Sequence, residues 1–210
     1  MHRSTSSSNL EFLEYVMRKN MKLSLLTLSL TALLAVQGCA VVAIGSAVAV
    51  GASSSSDPRS VGTQLDDTNN ALSIGNRINK IDGLSAESNI DVELFNRQLL
   101  LTGQVTDAKW IKLIDASVKQ NTYIKKYHNQ IRIAPLANAT QQAKDIIIAN
   151  TIRAKLIADD NVSTTNINVI VNNGEVFLMG LVTNQEATIA VNIARNVNNV
   201  VRVNRVFEII

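Results

Sequence analysis

Thiols, imidazoles, prolines and aromatic rings are scarce in this sequence, and most of these scarcities exclude a class of protein. The 210 residues include one cysteine, so the chain forms no internal disulfide and no zinc site built from cysteines. Two histidines provide no paired metal ligands and no complete Ser-His-Asp set. Two prolines and nine glycines argue against a fibrous or disordered chain. The remaining composition, 46% hydrophobic, predicts a globular body of one or two domains.

The single cysteine, Cys39, follows a segment that is typical of a secretory signal. Residues 18–22 supply a short basic region, and residues 23–36 form an apolar run of 14 residues. This run is shorter than the roughly 20 residues that a membrane-spanning helix requires. The sequence VQGC, residues 36–39, resembles the lipobox of bacterial lipoproteins, in which the cysteine becomes the acylated first residue. The alternative is an ordinary signal peptide with an incidental cysteine.

The lipobox resemblance implies a location for the mature protein. Acyl chains on Cys39 would anchor the chain stably to a membrane. Ala40 stands where an aspartate would retain many Gram-negative lipoproteins in the inner membrane. We therefore expect a lipid-anchored protein of the outer membrane that faces the periplasm. Removal of residues 1–38 takes away four of 20 basic and two of 17 acidic residues, and the balance of 16 to 15 gives no support for nucleic-acid binding.

The rest of the chain contains a repeat. Residues 90–103 and 167–180 align at an offset of 77, and each holds two alternating apolar runs around a polar turn, which is typical of a β-hairpin. Gly103 and Gly180 are expected to end the second strand of each hairpin. In each copy a helix precedes the hairpin, and a second helix and a last strand follow it. The predicted helices are residues 69–81, 108–120, 142–158 and 185–197, and the predicted last strands are residues 124–133 and 200–209.

This α-β-β-α-β unit resembles the BON domain, a small module of bacterial envelope proteins, and two copies behind a lipobox resemble a family of outer-membrane lipoproteins. The most specific resemblance lies in DPRSVGTQ, residues 57–64, and NGEVFLMGLVT, residues 173–183. It implies an α+β fold of two tandem BON domains, each with two helices on a small three-stranded mixed sheet. The expected segments are an N-terminal extension and signal peptide (1–38), a lipidated tether (39–66), a first BON domain (67–133), a linker (134–141) and a second BON domain (142–210).

No constellation of residues indicates catalysis. His2 belongs to the segment that is expected to be removed, and His128 stands alone near the last strand of the first repeat. Asp159 and Asp160 follow a predicted helix, where a solvated helix end is a better interpretation than a pair of catalytic carboxylates. We therefore expect a non-enzymatic protein that needs no cofactor and no metal.

The helix predicted at residues 142–158 has more apolar residues than a core face requires. At 100° per residue, Ile148, Ile152 and Leu156 form its core stripe. Opposite or beside that stripe lie further apolar residues, bordered by basic residues on both flanks. An apolar ridge between basic residues suits insertion into the headgroup region of an anionic bilayer. The candidate lipid-binding residues are Lys144, Ile146, Ile147, Thr151, Arg153, Ala154, Lys155 and Ile157.

The family resemblance implies the same function, because the second BON domain of this family is associated with anionic phospholipid, phosphatidylglycerol or cardiolipin, through that helix. It also implies a role in outer-membrane integrity, at the division site. Two other interpretations of the ridge stay open. The ridge packs against the first domain or the linker, or it binds an envelope assembly protein, which would make the chain a periplasmic adaptor. Asn69, Asn76 and Lys80 occupy the outer side of the first predicted helix and indicate an ordinary solvated surface.

Overall fold

The structure is a computed structural model that describes residues 57–210. The predicted signal peptide, Cys39 and most of the predicted tether lie outside the described residues. The helices are Val61–Asn79 (α1), Ala108–Val118 (α2), Ala139–Ile157 (α3) and Asn184–Arg195 (α4). The strands are Ser88–Phe95 (β1), Gln98–Val105 (β2), Lys126–Ile133 (β3), Ile167–Asn172 (β4), Glu175–Val182 (β5) and Arg202–Ile209 (β6).

Each repeat forms the predicted α+β unit. In the first unit β1 pairs antiparallel with β2, and β2 pairs parallel with β3, so the sheet is mixed and has the order β1-β2-β3. The second unit has the same arrangement in β4, β5 and β6. Helices α2 and α4 provide the crossover that a parallel pair requires. The prediction of two tandem α-β-β-α-β units is therefore confirmed.

A separate hydrophobic core lies between the helices and the sheet of each unit. In the first unit Ile74 and Ile78 of α1 pack with Ile114 of α2 and with alternate residues of β2. In the second unit Ile152 and Leu156 of α3 are almost fully buried against the sheet and α4. The core stripe that was predicted for the first helix of the second repeat is thus buried.

Helices α1 and α3 begin before their predicted starts, because the prediction did not recognise their polar N-caps. Helix α1 begins at Val61 rather than at residue 69, and the Ser60 hydroxyl accepts a hydrogen bond from the backbone N–H three residues later. Helix α3 begins at Ala139 rather than at residue 142, and the Asn138 side chain accepts the equivalent bond. Such caps satisfy backbone donors that a helix leaves free. The C-terminal part of the predicted tether is therefore helical, and the predicted linker is shortened.

A buried aspartate of α3 holds the second hairpin turn. The carboxylate oxygens of Asp145 accept the backbone N–H groups of Asn173 at 2.7 Å and Gly174 at 2.9 Å. The two turn residues have φ values of 54° and 76°, and a two-residue turn between twisted strands requires positive φ at both positions. The carboxylate satisfies two backbone donors that face the protein interior and ties the helix to the sheet.

The first unit repeats this arrangement and adds further partners. Asp67 of α1 accepts the backbone N–H groups of Asn96 at 2.7 Å and Arg97 at 3.1 Å. Its carboxylate also accepts the Arg59 guanidinium and the Tyr123 hydroxyl, each at 3.0 Å. Burial, together with the hydrogen bond to the Asp67 carboxylate, raises the pKa of Tyr123 to about 12. The segment that precedes α1 is therefore held by the first domain.

Gly103 and Gly180 lie inside the second strand of each hairpin rather than at its end, which corrects the prediction. Both strands continue for two further residues. A Cβ atom on Gly103 would lie 1.9 Å from the carbonyl oxygen of Asn89, and one on Gly180 would lie 1.9 Å from that of Asn166. Only glycine permits this close approach of the neighbouring backbone. The recurrence of glycine at these positions is a packing requirement.

The two sheets pack against each other through the faces that the helices leave free. All residues of β2 are buried, as expected for a strand that is covered on both faces. Burial between the sheets raises the pKa of Glu93, although its hydrogen bond from Asn168 at 2.7 Å opposes this shift. The buried side chains between the sheets are Phe95, Leu100, Phe177, Met179, Leu181 and Val206.

Hydrogen bonds at the rim of this interface set the direction of one unit relative to the other. The Asn96 amide at the first turn donates to the Glu208 carboxylate near the end of β6 at 3.0 Å. Arg132 near the end of β3 pairs at 3.0 Å with Glu175, which follows the second turn. The turn end of each unit therefore lies beside the opposite end of the other.

We predict that Asp145→Ala lowers the free energy of unfolding by about 2–6 kcal/mol, because each of the two donors left without an acceptor costs about 1–3 kcal/mol. Asp145→Asn should cost less, since its amide oxygen still accepts one of the two N–H groups. Urea unfolding followed by circular dichroism measures the difference. The control is Asp160→Ala, which removes an exposed carboxylate from the same domain. Equal stability of the two alanine variants would contradict the anchoring role of Asp145.

His128 should make stability depend on pH. Its Nε2 atom is buried and has no hydrogen-bond partner within residues 57–210. Burial, and secondarily the nearby Lys126 charge, lower the pKa of His128 below its usual 6.5. The unfolded chain therefore takes up a proton near pH 6.5, whereas the folded chain does so only at lower pH. Hence the free energy of unfolding should fall as the pH drops through and below 6.5.

The His128→Gln variant isolates this effect because its side chain stays neutral. Urea unfolding of both proteins at several pH values from 7.5 downwards should show the wild type losing more stability than the variant. Other titrating groups are common to the two proteins and cancel in the difference. Parallel stability curves would show that burial of His128 has no such consequence.

Candidate functional site

The outer face of α3 is apolar and uncovered. Ile147, at 65% exposure, lies at the centre of this face, and at 100° per residue Thr151, Ala154 and Ala158 lie within about 40° of it. Ile157 is 71% exposed at the edge of the face. We call the surface around Ile147 the outer ridge of α3. Neither the first domain nor the linker covers it within residues 57–210, so Ile147 and Ile157 do not pack on them.

A cavity of about 470 Å³ lies beside the ridge. Lys144 and Lys155 both line this cavity, so the two lysines lie on the same flank of the ridge. The Thr151 hydroxyl also lines it and donates to the carbonyl oxygen of Ile147 at 2.7 Å. The opposite wall comes from the loop after α4 and includes Asn196, Val197, Asn198 and Asn199. The lining of this cavity contains two cations and no acidic residue, so it has a positive potential.

Two of the candidate residues lie on the other side of α3. Ile146, at 61% exposure, and Arg153 line a cleft between the two domains together with the acidic residues Asp91 and Glu93. The Arg153 guanidinium donates to the carbonyl oxygen of Val169 at 2.6 Å and is engaged by the protein itself. The structure thus brings Lys144, Ile147, Thr151, Ala154 and Lys155 onto one surface and places Ile146 and Arg153 apart from it.

The equivalent face of α1 differs in charge and polarity. Matching Asp67 with Asp145, on the shared contact with the hairpin turn, aligns the two helices at an offset of 78. Asn69 then corresponds to Ile147, and the exposed Asp66 corresponds to Lys144. Arg77 corresponds to Lys155, so the basic flank is partly shared, whereas Ile147 and Lys144 have no apolar or basic equivalent in the first domain.

Two surface features of the protein were not predicted from its sequence. Leu65 and Leu72 of α1 are 60% and 62% exposed. The outer side of α1 therefore contains apolar residues, whereas a purely polar surface was expected. Leu65 was missed because the helix start was predicted at residue 69. Leu72 lies inside the predicted helix, so its position outside the core face could have been predicted from the helical period. The place of Asn198 and Asn199 opposite α3 was also missed, because it follows from the crossover connection.

Residues 57–210 contain no helix that is long and apolar enough to cross a membrane. The same residues contain no group of side chains that could hold a metal ion. Cys39, the predicted lipidation site, lies outside the described residues.

Comparison with known proteins identifies the repeated unit and its relatives. The family model of the BON domain matches residues 66–135 and 144–210, which include both hairpins. The outer membrane lipoprotein DolP of Haemophilus influenzae is 32% identical over 183 residues, which cover 87% of this chain and 94% of that protein. The 21 kDa hemolysin of Actinobacillus pleuropneumoniae is 34% identical over 157 residues, which cover 73% of this chain and 78% of the hemolysin.

A solved structure, the C-terminal domain of CdsD, is described as a structural protein of the type III secretion system of Chlamydia trachomatis. It is 12% identical, with 69% of this chain and 67% of that chain covered, and the TM-score is 0.27. This global similarity is too low to support any argument about function.

Proposed function

Because the chain belongs to the BON domain family, and most of its length is similar to an outer membrane lipoprotein, we propose that it is a non-enzymatic, lipid-anchored protein of the outer membrane. In this proposal it faces the periplasm, binds anionic phospholipid through its second BON domain and thereby supports outer-membrane integrity. The role at the division site that the resemblance implies is part of the same hypothesis. The observation that carries the lipid-binding proposal is the uncovered outer ridge of α3 with lysines on one flank.

The magnitudes favour a surface that supplements an anchor. Burial of one isoleucine side chain contributes roughly 1.5–3 kcal/mol. Each lysine near an anionic surface contributes about 1 kcal/mol. Ile147 with Lys144 and Lys155 therefore gives a few kcal/mol, part of which is offset by the loss of orientational freedom. Such affinity is weak for a free protein, but a lipid anchor raises the effective concentration of the ridge at the membrane.

We expect Cys39→Ala to abolish acylation and to release the protein from the outer membrane, because the thiol is the proposed attachment point of the lipid. Incorporation of radiolabelled palmitate and fractionation of the cell envelope measure the two effects. The control is Ala40→Ser, which keeps the thiol and adds no acidic residue after it. A Cys39→Ala protein that stays acylated would contradict the lipoprotein assignment.

We predict that Ile147→Glu weakens binding to vesicles that contain phosphatidylglycerol by at least tenfold, since it removes an inserted side chain and adds a repelled charge. Co-sedimentation of the chain from residue 39 onward, with Cys39→Ser to prevent acylation, measures binding. The matched control is Leu72→Glu on α1, where the replaced residue is 62% exposed compared with 65% for Ile147.

Two outcomes would contradict this proposal. Equal effects of Ile147→Glu and Leu72→Glu would show that binding depends on overall charge and not on the ridge. A wild-type protein that ignores anionic vesicles would favour the periplasmic adaptor, in which the same ridge binds an envelope assembly protein.

A further inference from the structure

The outer face of α2, in the first domain, carries a row of three exposed lysines. At 100° per residue, Lys109, Lys112 and Lys119 all lie within about 40° of the direction opposite the buried Ile114. Lys119 is the C-cap and keeps helical backbone angles, so the row extends for about 15 Å along the helix. The Lys109 ammonium lies 4.6 Å from the centroid of the Trp110 ring, which positions the side chain and leaves its charge in place. We call these three residues the lysine row of α2.

No carboxylate of the described chain pairs with the lysine row. The ion pairs within residues 57–210 involve arginines and not lysines. Asp107 caps α2 by accepting the backbone N–H of Lys109 at 2.7 Å. Asp115 accepts the Tyr127 hydroxyl of β3 at 2.6 Å. The acidic residues beside and within α2 are therefore engaged by the protein, and the lysines have no intramolecular counterion.

The fold itself does not require this row. Alignment of α2 with α4 at their N-caps, Asp107 and Thr183, gives an offset of 76. The residues of α4 that correspond to the three lysines are Gln185, Thr188 and Arg195. One of these three is basic, although the two helices have the same place in their units. The positive row is therefore a property of the first domain and not of the repeated unit.

The lysine row and the outer ridge of α3 lie on opposite sides of the molecule. Helices α1 and α2 cover one face of the first sheet, and α3 and α4 cover one face of the second. The other faces of the two sheets contact each other. When the outer ridge contacts a membrane, as the proposed function requires, the row points away from that membrane. A partner of the row is therefore to be sought in the periplasm.

The chemistry of the row indicates what kind of partner it fits. Lys112 and Ala116 lie at the centre of the outer face of α2, where α3 has Ile147, so α2 presents no central side chain for insertion into a bilayer. Lysine is depleted at protein–protein interfaces, where charges lose their water. Its ammonium is a compact and strongly hydrated charge on a flexible stem. Such a row suits an extended polyanion whose charges remain in water.

We propose that the lysine row of α2 binds an extended polymer that carries carboxylates, and that this polymer is the peptidoglycan of the periplasm, whose peptide stems bear free carboxylates. Over about 15 Å the row contacts more than one carboxylate at a time, and linked weak contacts multiply in affinity. The protein then connects a membrane at α3 with the cell wall at α2. This inference rests on the proposed function for the location of the chain and the direction of the row.

The test is sedimentation with purified peptidoglycan sacculi that have been freed of bound proteins. The chain from residue 39 onward, with Cys39→Ser, should pellet with the sacculi at low salt and be released as the ionic strength rises. Lys112→Glu together with Lys119→Glu should lower the affinity roughly fivefold or more, because one exposed ion pair changes an affinity roughly 1.5- to fivefold and each reversal adds repulsion. An unchanged affinity of this double variant would overturn the inference.

Two further variants separate the row from overall charge and from folding. Lys125→Glu together with Lys126→Glu is the matched control, because it makes the same change of net charge at two exposed lysines of the same domain outside α2. Equal losses in the two reversed variants would overturn the role of the row. Lys112→Gln together with Lys119→Gln adds no repulsion and should bind with an affinity between those of the wild type and the reversed variant. Circular dichroism should show the wild-type fold in all of them.

Chemical modification of the polymer identifies the group that is recognised. Sacculi whose carboxylates have been converted to neutral amides should no longer bind the wild-type chain. Binding that survives this conversion would overturn the recognition of carboxylates.

Vesicles that contain phosphatidylglycerol distinguish this inference from the proposed function. Ile147→Glu should keep its binding to sacculi, and the variant reversed at Lys112 and Lys119 should keep its binding to vesicles. If that reversed variant lost vesicle binding as well, the row would be a membrane contact and the inference would fall. A wild type that binds vesicles and not sacculi would overturn the inference alone. A wild type that binds sacculi and not vesicles would overturn the proposed membrane contact alone.

Discussion

Each domain depends on one buried carboxylate that accepts two backbone N–H groups from the turn of its hairpin. Asp67 and Asp145 are 1% and 7% exposed, and they lie at equivalent positions of α1 and α3. Without these acceptors the turn donors would be desolvated and unpaired, and the helices would contact the sheets only through non-directional apolar packing. These two hydrogen bonds fix the position of the helix on the sheet. It therefore decides which helical face is buried and which is left outside.

The same constraint leads to different surfaces in the two domains. With the register fixed, the core stripe of α3 takes Ile148, Ile152 and Leu156, and Ile147 is directed away from the sheet. The equivalent residue of α1 is Asn69. In the first domain Asp67 also binds Arg59, whose guanidinium lies over the ring of Phe95 with 3.7 Å to its centroid. In the first domain, the end of the sheet near the hairpin turn thus holds the segment that leads to the proposed tether. In the second domain, α3 provides the surface for the proposed membrane contact.

The repeated hairpins could be predicted because the alternation of apolar and polar residues is a local pattern. Asparagine and glycine at their turns are also typical of tight hairpin turns. The family resemblance drawn from those hairpins is confirmed by the match over both repeats. The starts of α1 and α3 were missed because Ser60 and Asn138 are single polar residues among many. Packing between the sheets was also missed, although the nearly continuous apolar run of β5 is typical of a strand covered on both faces. The cavity beside α3 depends on a loop about 50 residues further along the chain, and its contribution follows only from the three-dimensional path.

The proposed function requires the outer ridge of α3 to enter the headgroup region of an anionic bilayer while the rest of the second domain stays in water. The most direct measurement is nuclear Overhauser contact between isoleucine methyl groups and lipid chains in nanodiscs that contain phosphatidylglycerol. We expect such contacts for the δ1 methyl of Ile147 and none for that of Ile170, which packs between the sheets. Bound protein with no lipid contact at Ile147, or with equal contacts at leucine methyls of α1, would contradict it.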